Sequence, residues 1–211
     1  MEITAVFQST PPPLVAEFNH PAWQAAVPLP LDQNWRGEPA PADLHTTARV
    51  LWTVEYLWFG FACGYTELDV DEQFDARQER HALWERDVCE AFIRSPLEPH
   101  AHSYKEFEVA PTGQWCDLLI HRPRVDFDWQ WQSGMQTAAV VDAAAHVWRV
   151  VMAIPFTAFG ITPQAGDHWH GNLYRISRHA GARQFLAYAP TLTAQPDFHV
   201  PEKFIPLVFC A

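Results

Sequence analysis

Residues 84–93, Trp-Glu-Arg-Asp-Val-Cys-Glu-Ala-Phe-Ile, carry the alternating pattern that most constrains the fold. Side chains of a β-strand point alternately to two faces, so a strand here has one small apolar face and one mixed face: Cys89, Ala91 and Ile93 against Val88, Glu90 and Phe92. The first face is typical of a core. The mixed face is either an ordinary solvated surface or one that uses Glu90, beside the aromatic Trp84, to hold a ligand.

Two hairpins are predicted on either side of this strand. Residues 48–52 and 56–63 are rich in β-branched and aromatic side chains and predict the first hairpin. Residues 104–109 and 115–120 predict the second, closed by the turn sequence Ala-Pro-Thr-Gly. Alternation in the second hairpin predicts an inward and an outward face: Phe107, Val109, Cys116, Leu118 and Ile120 inward, and Tyr104, Glu106 and Glu108 outward.

Further strand patterns and no long helical pattern complete the chain. The strand patterns lie at 137–142, 147–155, 171–178, 185–190 and 207–209. Together they predict an all-β fold, an antiparallel β-sandwich of immunoglobulin-like or jelly-roll-like type. A chain of 211 residues is expected to form a single domain, residues 1–211, on which the proline-rich residues 1–43 pack as an arm.

Charge and cysteine usage restrict the partners and the compartment. A net charge of -11 and a pI near 5.3 argue against nucleic acid and anionic membranes, which attract clustered Lys and Arg, and favour a neutral small ligand. No basic segment followed by an apolar run opens the chain, which predicts a cytoplasmic protein, or an extracellular one if a leader was removed. The cysteines are widely separated and are predicted to be free, buried thiols: Cys63, Cys89, Cys116 and Cys210.

The sequence favours binding over catalysis. It contains no Gly-x-Gly-x-x-Gly, no phosphate loop, no Gly-x-Ser-x-Gly and no His-Glu-x-x-His. One enzymatic alternative is a glycosidase that pairs Glu90 with Glu106 or Glu108, if the carboxyl groups lie roughly 5 to 9.5 Å apart. The residues 129–131, Trp-Gln-Trp, would place two indoles on one face of an extended segment.

No cofactor is predicted, although three weaker signals leave a metal or haem open. Asp69 and Asp71 resemble part of a calcium loop but lack its Gly and distal Glu. His168 and His170 share one side of an extended segment without an obvious third ligand. Methionines that could serve haem exist but have no spacing that ties them to a His.

Four motifs in chain order resemble a known family. They are Trp84-Glu85-x-Asp87-x-x-Glu90-x-Phe92-Ile93, Tyr104-x-Glu106-Phe107-x-Val109-x-Pro111-x-Gly113, Asn172-x-Tyr174-Arg175, and Pro196-x-Phe198-His199-x-Pro201-x-x-Phe204. This set is similar to the family 9 carbohydrate-binding modules and their DOMON-like relatives. The resemblance extends over roughly residues 15 to 209 and is more specific for the fold than for the ligand.

The resemblance implies a non-catalytic module whose two Trp side chains clamp a sugar ring while Glu, Arg and Asn side chains bind its hydroxyls. Trp84 and Glu90 match that pattern. Glu108 stands where the family has the Arg, Phe198 stands where it has the second Trp, and Gln195 lies near the expected amide. A carbohydrate or another neutral small ligand is therefore the expected partner. Two alternatives stay open: a structural or interaction domain with a degenerate sugar site, and a haem- or metal-binding DOMON-like protein.

Overall fold

The structure, a computed structural model, describes residues 1–73, 75, 76 and 78–211 and is built almost entirely of β-strands. In the described residues the strands are β1 (Ile3–Phe7), β2 (Leu29–Leu31), β3 (Thr46–Trp52), β4 (Tyr56–Gly64), β5 (Val88–Arg94), β6 (Tyr104–Val109), β7 (Trp115–Arg122), β8 (Asp126–Asp128), β9 (Gln136–Asp142), β10 (Val147–Pro155), β11 (His168–His179), β12 (Ala182–Ala187) and β13 (Ile205–Cys210). The helical segments are short: α1 (Pro21–Ala25) and 3-10 turns at Ala42–Leu44, Leu83–Glu85, Phe156–Ala158 and Pro201–Lys203. None of these helices has the length and hydropathy needed to span a bilayer.

The strands form one hydrogen-bonded path in the order β8-β7-β6-β5-β11-β13-β1-β3-β4-β10-β9, with β12 beside β11 and β2 beside β3. Pairing is antiparallel except at β1, which runs parallel to both β13 and β3. Residues from both ends of the path share one core, so the path folds into two packed layers. At the contact between layers, the thiols of Cys63 on β4 and Cys89 on β5 lie 3.4 Å apart, Sγ to Sγ, as free cysteines. The predicted β-sandwich is confirmed.

The predicted alternation of β5 and β6 is also confirmed. Cys89, Ala91, Ile93, Phe107 and Val109 all lie in the core between the layers. The predicted hairpin of β3 and β4 pairs from Thr46 with Cys63 to Trp52 with Leu57. Residues after β1 cover the outer face of the opposite layer, where the fully buried Trp23 packs in a cluster with Leu51, Trp58 and Val151.

The predicted orientation of β7 is wrong. Glu106 pairs with Leu118, so Leu118 lies on the outward face of the sheet, and Cys116 and Ile120 lie there with it. The core side of β7 carries the fully buried Asp117, whose Oδ2 accepts a hydrogen bond of 3.0 Å from the Ser133 backbone N–H. The error arose because both faces of β7 are covered, so hydrophobicity alone does not distinguish them.

Candidate ligand-binding pocket

A pocket of about 420 Å³ opens on the outward face of β5, β6, β7 and β11. Its floor consists of side chains from these four strands: Glu90, Phe92, Glu106, Leu118 and Ile176. Its rim comes from the connections and from the edge strands β8 and β12: Trp84, Phe127, Trp129, Arg183, Phe185, Pro196, Asp197, Phe198 and His199. The volume falls in the range of roughly 300 to 1,000 Å³ that is usual for small-ligand sites.

Strand register gathers three acidic side chains at the floor. Glu90 on β5 is the cross-strand partner of Glu108 on β6 and of Tyr174 on β11, and Phe92 is the partner of Glu106. Because side chains of paired residues and of residues two apart project to the same face, Glu90, Glu106 and Glu108 become neighbours. The alternation that places these side chains on one face therefore also brings their carboxyl groups together.

All three carboxyl groups are buried. Glu90 is 2% exposed, Glu106 4% and Glu108 0%, so the interpretation of Glu90 as a solvated surface residue is wrong. In the described residues, no N–H donor or hydroxyl group bonds to Oε1 of Glu90, Oε2 of Glu106 or either oxygen of Glu108, whereas Glu106 and Glu108 hydrogen-bond to each other when one of them is protonated. Two of these acids, Glu90 and Glu106, are among the residues that line the pocket, and their unpartnered oxygens have almost no accessible surface.

Burial is the main influence on the protonation of these acids. It raises the pKa of Glu106 to about 8 against the opposite effect of a hydrogen bond with Glu108, and the neighbouring charge of Glu90 acts in the same direction as burial. Burial likewise raises the pKa of Glu90 and of Glu108 well above the ordinary value, and the charge of the neighbouring acid adds to each shift. At neutral pH the cluster therefore keeps protons and presents carboxylic acid groups to the pocket.

Aromatic rings form one side of the rim. The ring centroids of Trp84 and Trp129 lie 5.8 Å apart with planes inclined by 35°, and Phe127 stacks on Trp129 at 5.5 Å. A sugar ring between two aromatic rings needs a separation of roughly 7 to 8 Å, two contact distances of about 3.5 to 4 Å each. Trp84 and Trp129 therefore form one platform and do not clamp a ring between them.

A second group of rings lies at the 196–199 segment. Phe198 is 6% exposed and stacks on Tyr174 with a centroid distance of 4.1 Å and an interplanar angle of 9°. The Tyr174 hydroxyl donates to the Phe198 carbonyl over 3.2 Å, and it accepts from Nδ2 of Asn172 over 2.9 Å. Phe198 thus contributes both to the apolar cluster under the pocket and to the pocket wall.

His199 is held as a neutral imidazole beside the acids. Its Nδ1 lies 2.6 Å from the Tyr104 hydroxyl and 3.8 Å from Oε2 of Glu106. Burial lowers the pKa of His199 to about 4, and the charge of Arg124 acts in the same direction against that of Asp197. The Arg124 guanidinium pairs with Asp197 and donates to the His199 carbonyl, so it fixes this segment from outside.

Three of the five residues that were predicted to bind the ligand line the pocket. Trp84, Glu90 and Phe198 line the pocket. Glu108 is fully buried beside Glu90 but does not line the pocket, and Gln195 is exposed and lies outside it. Their roles in binding stay predictions.

Sequence reasoning assigned no ligand role to several residues at the pocket. Strand alternation predicts the correct face for Glu106, and His199 belongs to the fourth motif of the resemblance without a role of its own, whereas Arg183 has no sequence signal. The spacing of Trp129 and Trp131 predicted that both indoles lie on one face. This prediction is wrong, because Trp131 packs edge-on against Phe107 at 6.1 Å on the core side. The segment turns after Asp128, where Oδ1 accepts from the Gln130 and Trp131 backbone N–H groups.

The acids proposed for calcium are paired with arginines. Oδ1 of Asp69 accepts from Arg86 at 2.6 Å, and its Oδ2 accepts from Arg178 at 2.7 Å. Oδ2 of Asp71 accepts from Arg80 at 3.0 Å. Over residues 1–73, 75, 76 and 78–211, no three His, Cys, Asp or Glu side chains are grouped to hold a metal ion, and this includes His168 and His170.

A two-layer β-sandwich with an aromatic-walled, carboxyl-floored pocket on one outer face has the architecture of a small-ligand-binding module. Residues 65–209 match the model of Carbohydrate-binding family 9. The chain belongs to this family. The DOMON-like part of the resemblance stays a prediction, and among curated protein sequences none matches the chain significantly.

Solved structures share this fold at low sequence identity. A candidate carbohydrate-binding protein from Bacteroides uniformis superposes with a TM-score of 0.77 at 18% identity, covering 99% of this chain and 98% of its own. A family 9 carbohydrate-binding module from Caldicellulosiruptor kristjanssonii in complex with cellotriose gives 0.73 at 11% identity, with 100% and 94% covered. The same kind of module from that organism in complex with glucose gives 0.69 at 11% identity, with 98% and 95% covered.

Proposed function

We propose that the protein is a non-catalytic carbohydrate-binding module that holds a sugar ring in the pocket on β5, β6, β7 and β11. The observation that carries the proposal is the pair of buried carboxyl side chains, Glu90 and Glu106, that line a pocket walled by aromatic rings. Membership of Carbohydrate-binding family 9 supports the ligand class, as do the structural neighbours in complex with cellotriose and glucose.

The two parts of the pocket suit the two sides of a pyranose. The C–H face of the ring is apolar and packs on the platform of Trp84 and Trp129, with Phe198 as a second apolar surface. The hydroxyl groups then meet the carboxyl groups of Glu90 and Glu106. Because burial raises the pKa of Glu106 to about 8, this acid donates a hydrogen bond to a sugar oxygen at neutral pH and accepts one with its other oxygen.

Glu108, at the position where the resemblance expects an Arg, acts through its neighbours. It is fully buried, its charge raises the pKa of Glu90, and its hydrogen bond with Glu106 lowers the pKa of Glu106. We assign it to keeping Glu90 protonated, because the charge of a neighbouring buried acid disfavours ionisation. Gln195 has no assigned contact, since its side chain is exposed outside the pocket.

The protonation pattern favours binding over glycoside hydrolysis. A glycosidase needs one carboxyl group as the acid and another ionised as nucleophile or base, so their environments push the two pKa values apart. Here burial raises the pKa of Glu90, Glu106 and Glu108 alike. The cluster thus lacks the ionised partner that hydrolysis needs at neutral pH.

The test is isothermal titration calorimetry at pH 7 with glucose, cellotriose and a panel of other mono- and oligosaccharides. We expect saturable binding of at least one sugar by the wild type and a loss of roughly tenfold, about 1.4 kcal/mol, in Trp84→Ala. Trp131→Ala is the matched control, because Trp131 lies outside the pocket against Phe107. Folding of each variant is checked by its thermal unfolding transition.

Two results would contradict the proposal. A flat response to every sugar from folded wild-type protein would favour the alternative of a structural or interaction domain with a degenerate site. Equal losses in Trp84→Ala and Trp131→Ala would show that any binding lies elsewhere on the surface.

A further inference from the structure

The pocket floor carries an excess of acid without a paired base. In the part of the chain that the structure describes, no Lys or Arg forms a salt bridge with Glu90, Glu106 or Glu108, and His199, 3.8 Å from Glu106, is neutral. The other acid of the rim, Asp197, is already paired with Arg124. Buried acids of this kind are stabilised by protonation or by a cation that arrives from outside.

Arg183, a cationic residue of the rim, is directed elsewhere. Its guanidinium donates to the Trp84 backbone carbonyl and lies over the Phe185 ring, 5.0 Å from the ring centroid. Its positive charge lowers the pKa of Glu90, but this effect is smaller than the increases caused by burial and by Glu108. The side chain is exposed, whereas the three acids lie buried on the floor. The floor therefore has room for a positive group that the chain itself does not supply.

The surroundings of the acids suit an organic cation. Trp84, Trp129, Phe127 and Phe198 present ring faces or edges to the pocket, and an ammonium group is attracted to aromatic faces by their quadrupole. Glu90 and Glu106 line the same pocket, and a carboxyl group that gives up its proton to an ammonium ligand accepts charge-assisted hydrogen bonds, which are shorter and roughly twice as strong as neutral ones. A hydroxyl group in the same place leaves the acids protonated and forms only neutral hydrogen bonds with them.

We propose that the pocket selects a sugar bearing a protonated amine, an amino sugar, over the corresponding neutral sugar. This inference rests on the proposed function and names the ligand class of that same pocket. The ammonium group lies against the carboxyl groups of Glu90 and Glu106, and the pyranose ring packs on the platform of Trp84 and Trp129.

Charge balance gives the proposal a distinct signature. In the free pocket the floor keeps its protons at pH 6.5, because burial raises the pKa of Glu106 to about 8. When the ammonium binds, one carboxyl group loses its proton to the buffer, so one positive charge enters as another leaves and the net charge of the buried site is unchanged. A neutral sugar exchanges no such charge and releases no proton.

Several titratable or charged groups face the floor and could contribute to the proton exchange. From the strands and segments packed around it, these groups are Glu90, Tyr104, Glu106, Glu108, Cys116, Arg124, Tyr174, Arg183, Asp197 and His199. Burial raises the pKa of the tyrosines and of Cys116, so these groups stay protonated at pH 6.5. The acids of the floor are thus the groups that release the proton.

Three sugars that differ at one substituent test the proposal: glucose with a hydroxyl, glucosamine with an ammonium, and N-acetylglucosamine with a neutral amide. Calorimetric titrations are run at pH 6.5 in two buffers of different ionisation enthalpy, which measures protons released. We expect glucosamine to bind at least tenfold tighter than glucose and to release about one proton. N-acetylglucosamine is expected to bind no tighter than glucose and to release none.

Substitutions locate the selectivity. In Glu106→Gln and Glu90→Gln we expect the ratio of the glucose Kd to the glucosamine Kd to fall toward one, and the proton release to fall with it. Glu17→Gln removes the same charge from an exposed residue of the N-terminal segment and should keep the ratio and the proton release of the wild type. This control separates a local effect from the net charge of the whole protein.

Each outcome is decisive. If glucose binds as tightly as glucosamine in the wild type, the inference is overturned while the proposed function stands. A preference for glucosamine that persists in both pocket variants also overturns it, because the selectivity then arises outside the acids. If folded protein binds none of the three sugars or the wider panel, the proposed function fails and the inference fails with it.

Discussion

Glu90 and Glu108 face each other across the ladder of β5 and β6, and both carboxyl groups are buried. Acidic side chains directly opposite each other on antiparallel strands normally destabilise the pair. Here they sit in a cluster with Glu106, whose pKa is about 8, so protons held within the cluster reduce the repulsion. The pairing couples the stability of the sandwich to pH through the same residues that form the pocket floor.

The first prediction follows from this coupling. The pKa of Glu106 is about 8 in the folded protein against an ordinary value of 4.5, so the folded state keeps a proton that the unfolded state loses. Stability from this group is fully present below about pH 4.5 and is lost as pH rises toward 8, by about 1.4 kcal/mol per pH unit. We expect the free energy of unfolding in urea to fall between pH 5 and pH 8.

The variant Glu106→Gln separates this group from the others. Gln cannot ionise, so the fall in the free energy of unfolding with pH should become shallower by about 1.4 kcal/mol per pH unit. Glu17→Gln, at an exposed residue, serves as the control and should keep the wild-type slope. A Glu106→Gln slope equal to that of the wild type would contradict the raised pKa, and the comparison cancels the opposite contribution of His199, whose pKa is lowered to about 4.

The second prediction concerns the platform of Trp84 and Trp129, whose ring centroids are 5.8 Å apart. Because the rings touch, removing one changes the position of the other, and their effects on sugar binding should not add. We expect Trp84→Ala and Trp129→Ala each to weaken the tightest-binding sugar roughly tenfold, and the double variant to weaken it by clearly less than the roughly 100-fold of independent sites. A full 100-fold loss in the calorimetric cycle would show that the two indoles act separately.

Strand periodicity predicted the part of the site that lies in the sheet. The alternation in β5 and β6 assigned Glu90, Glu106 and Glu108 to one face, because the period of a strand is fixed by its backbone. It did not predict that this face is covered. The cover comes from Phe198 and Phe204, which are distant in sequence, and no local pattern reports a contact of that kind.

The rim was harder to predict for the same physical reason. Trp129 and Trp131 are two residues apart, and in a regular strand they would share a face. The chain instead turns after β8, so Trp129 enters the pocket and Trp131 enters the core. The orientation of β7 was reversed for a related reason, since Asp117 lies on the core side where an apolar residue was expected. Turns and buried polar pairs depend on tertiary contacts that alternation does not encode.

The third prediction concerns His199. Burial lowers its pKa to about 4, so the imidazole should stay neutral down to about pH 5 although it lies beside Glu106. In a nuclear magnetic resonance titration of the histidine ring signals, the His199 signal should show no protonation shift between pH 8 and pH 5.5. The His199→Asn variant assigns the signal by its disappearance. A midpoint near the ordinary value of 6.5 would contradict the prediction and would place a positive charge next to the pocket floor.

The last prediction concerns Asn172, which is fully buried on β11 and fixes the chain at Ala189. Its Nδ2 donates to the Ala189 carbonyl over 2.7 Å, and its Oδ1 accepts from the Ala189 N–H over 3.0 Å. Asn172→Leu keeps a similar volume but leaves both backbone groups unpaired, which costs about 1 to 3 kcal/mol for each buried group. We expect a loss of roughly 2 to 5 kcal/mol in urea unfolding, against less than about 0.5 kcal/mol for Asn19→Leu at an exposed position.

The same variant should also weaken sugar binding. Asn172 donates to the Tyr174 hydroxyl, which in turn donates to the Phe198 carbonyl, so the position of Phe198 at the pocket depends on this chain of hydrogen bonds. Tyr174→Phe breaks the chain at its middle link and leaves the bonds of Asn172 to Ala189 in place. If Phe198 is positioned in this way, both variants weaken the sugar, while Tyr174→Phe loses less stability than Asn172→Leu. Unchanged affinity in a folded Tyr174→Phe protein would mean that ring stacking alone holds Phe198 in the pocket wall.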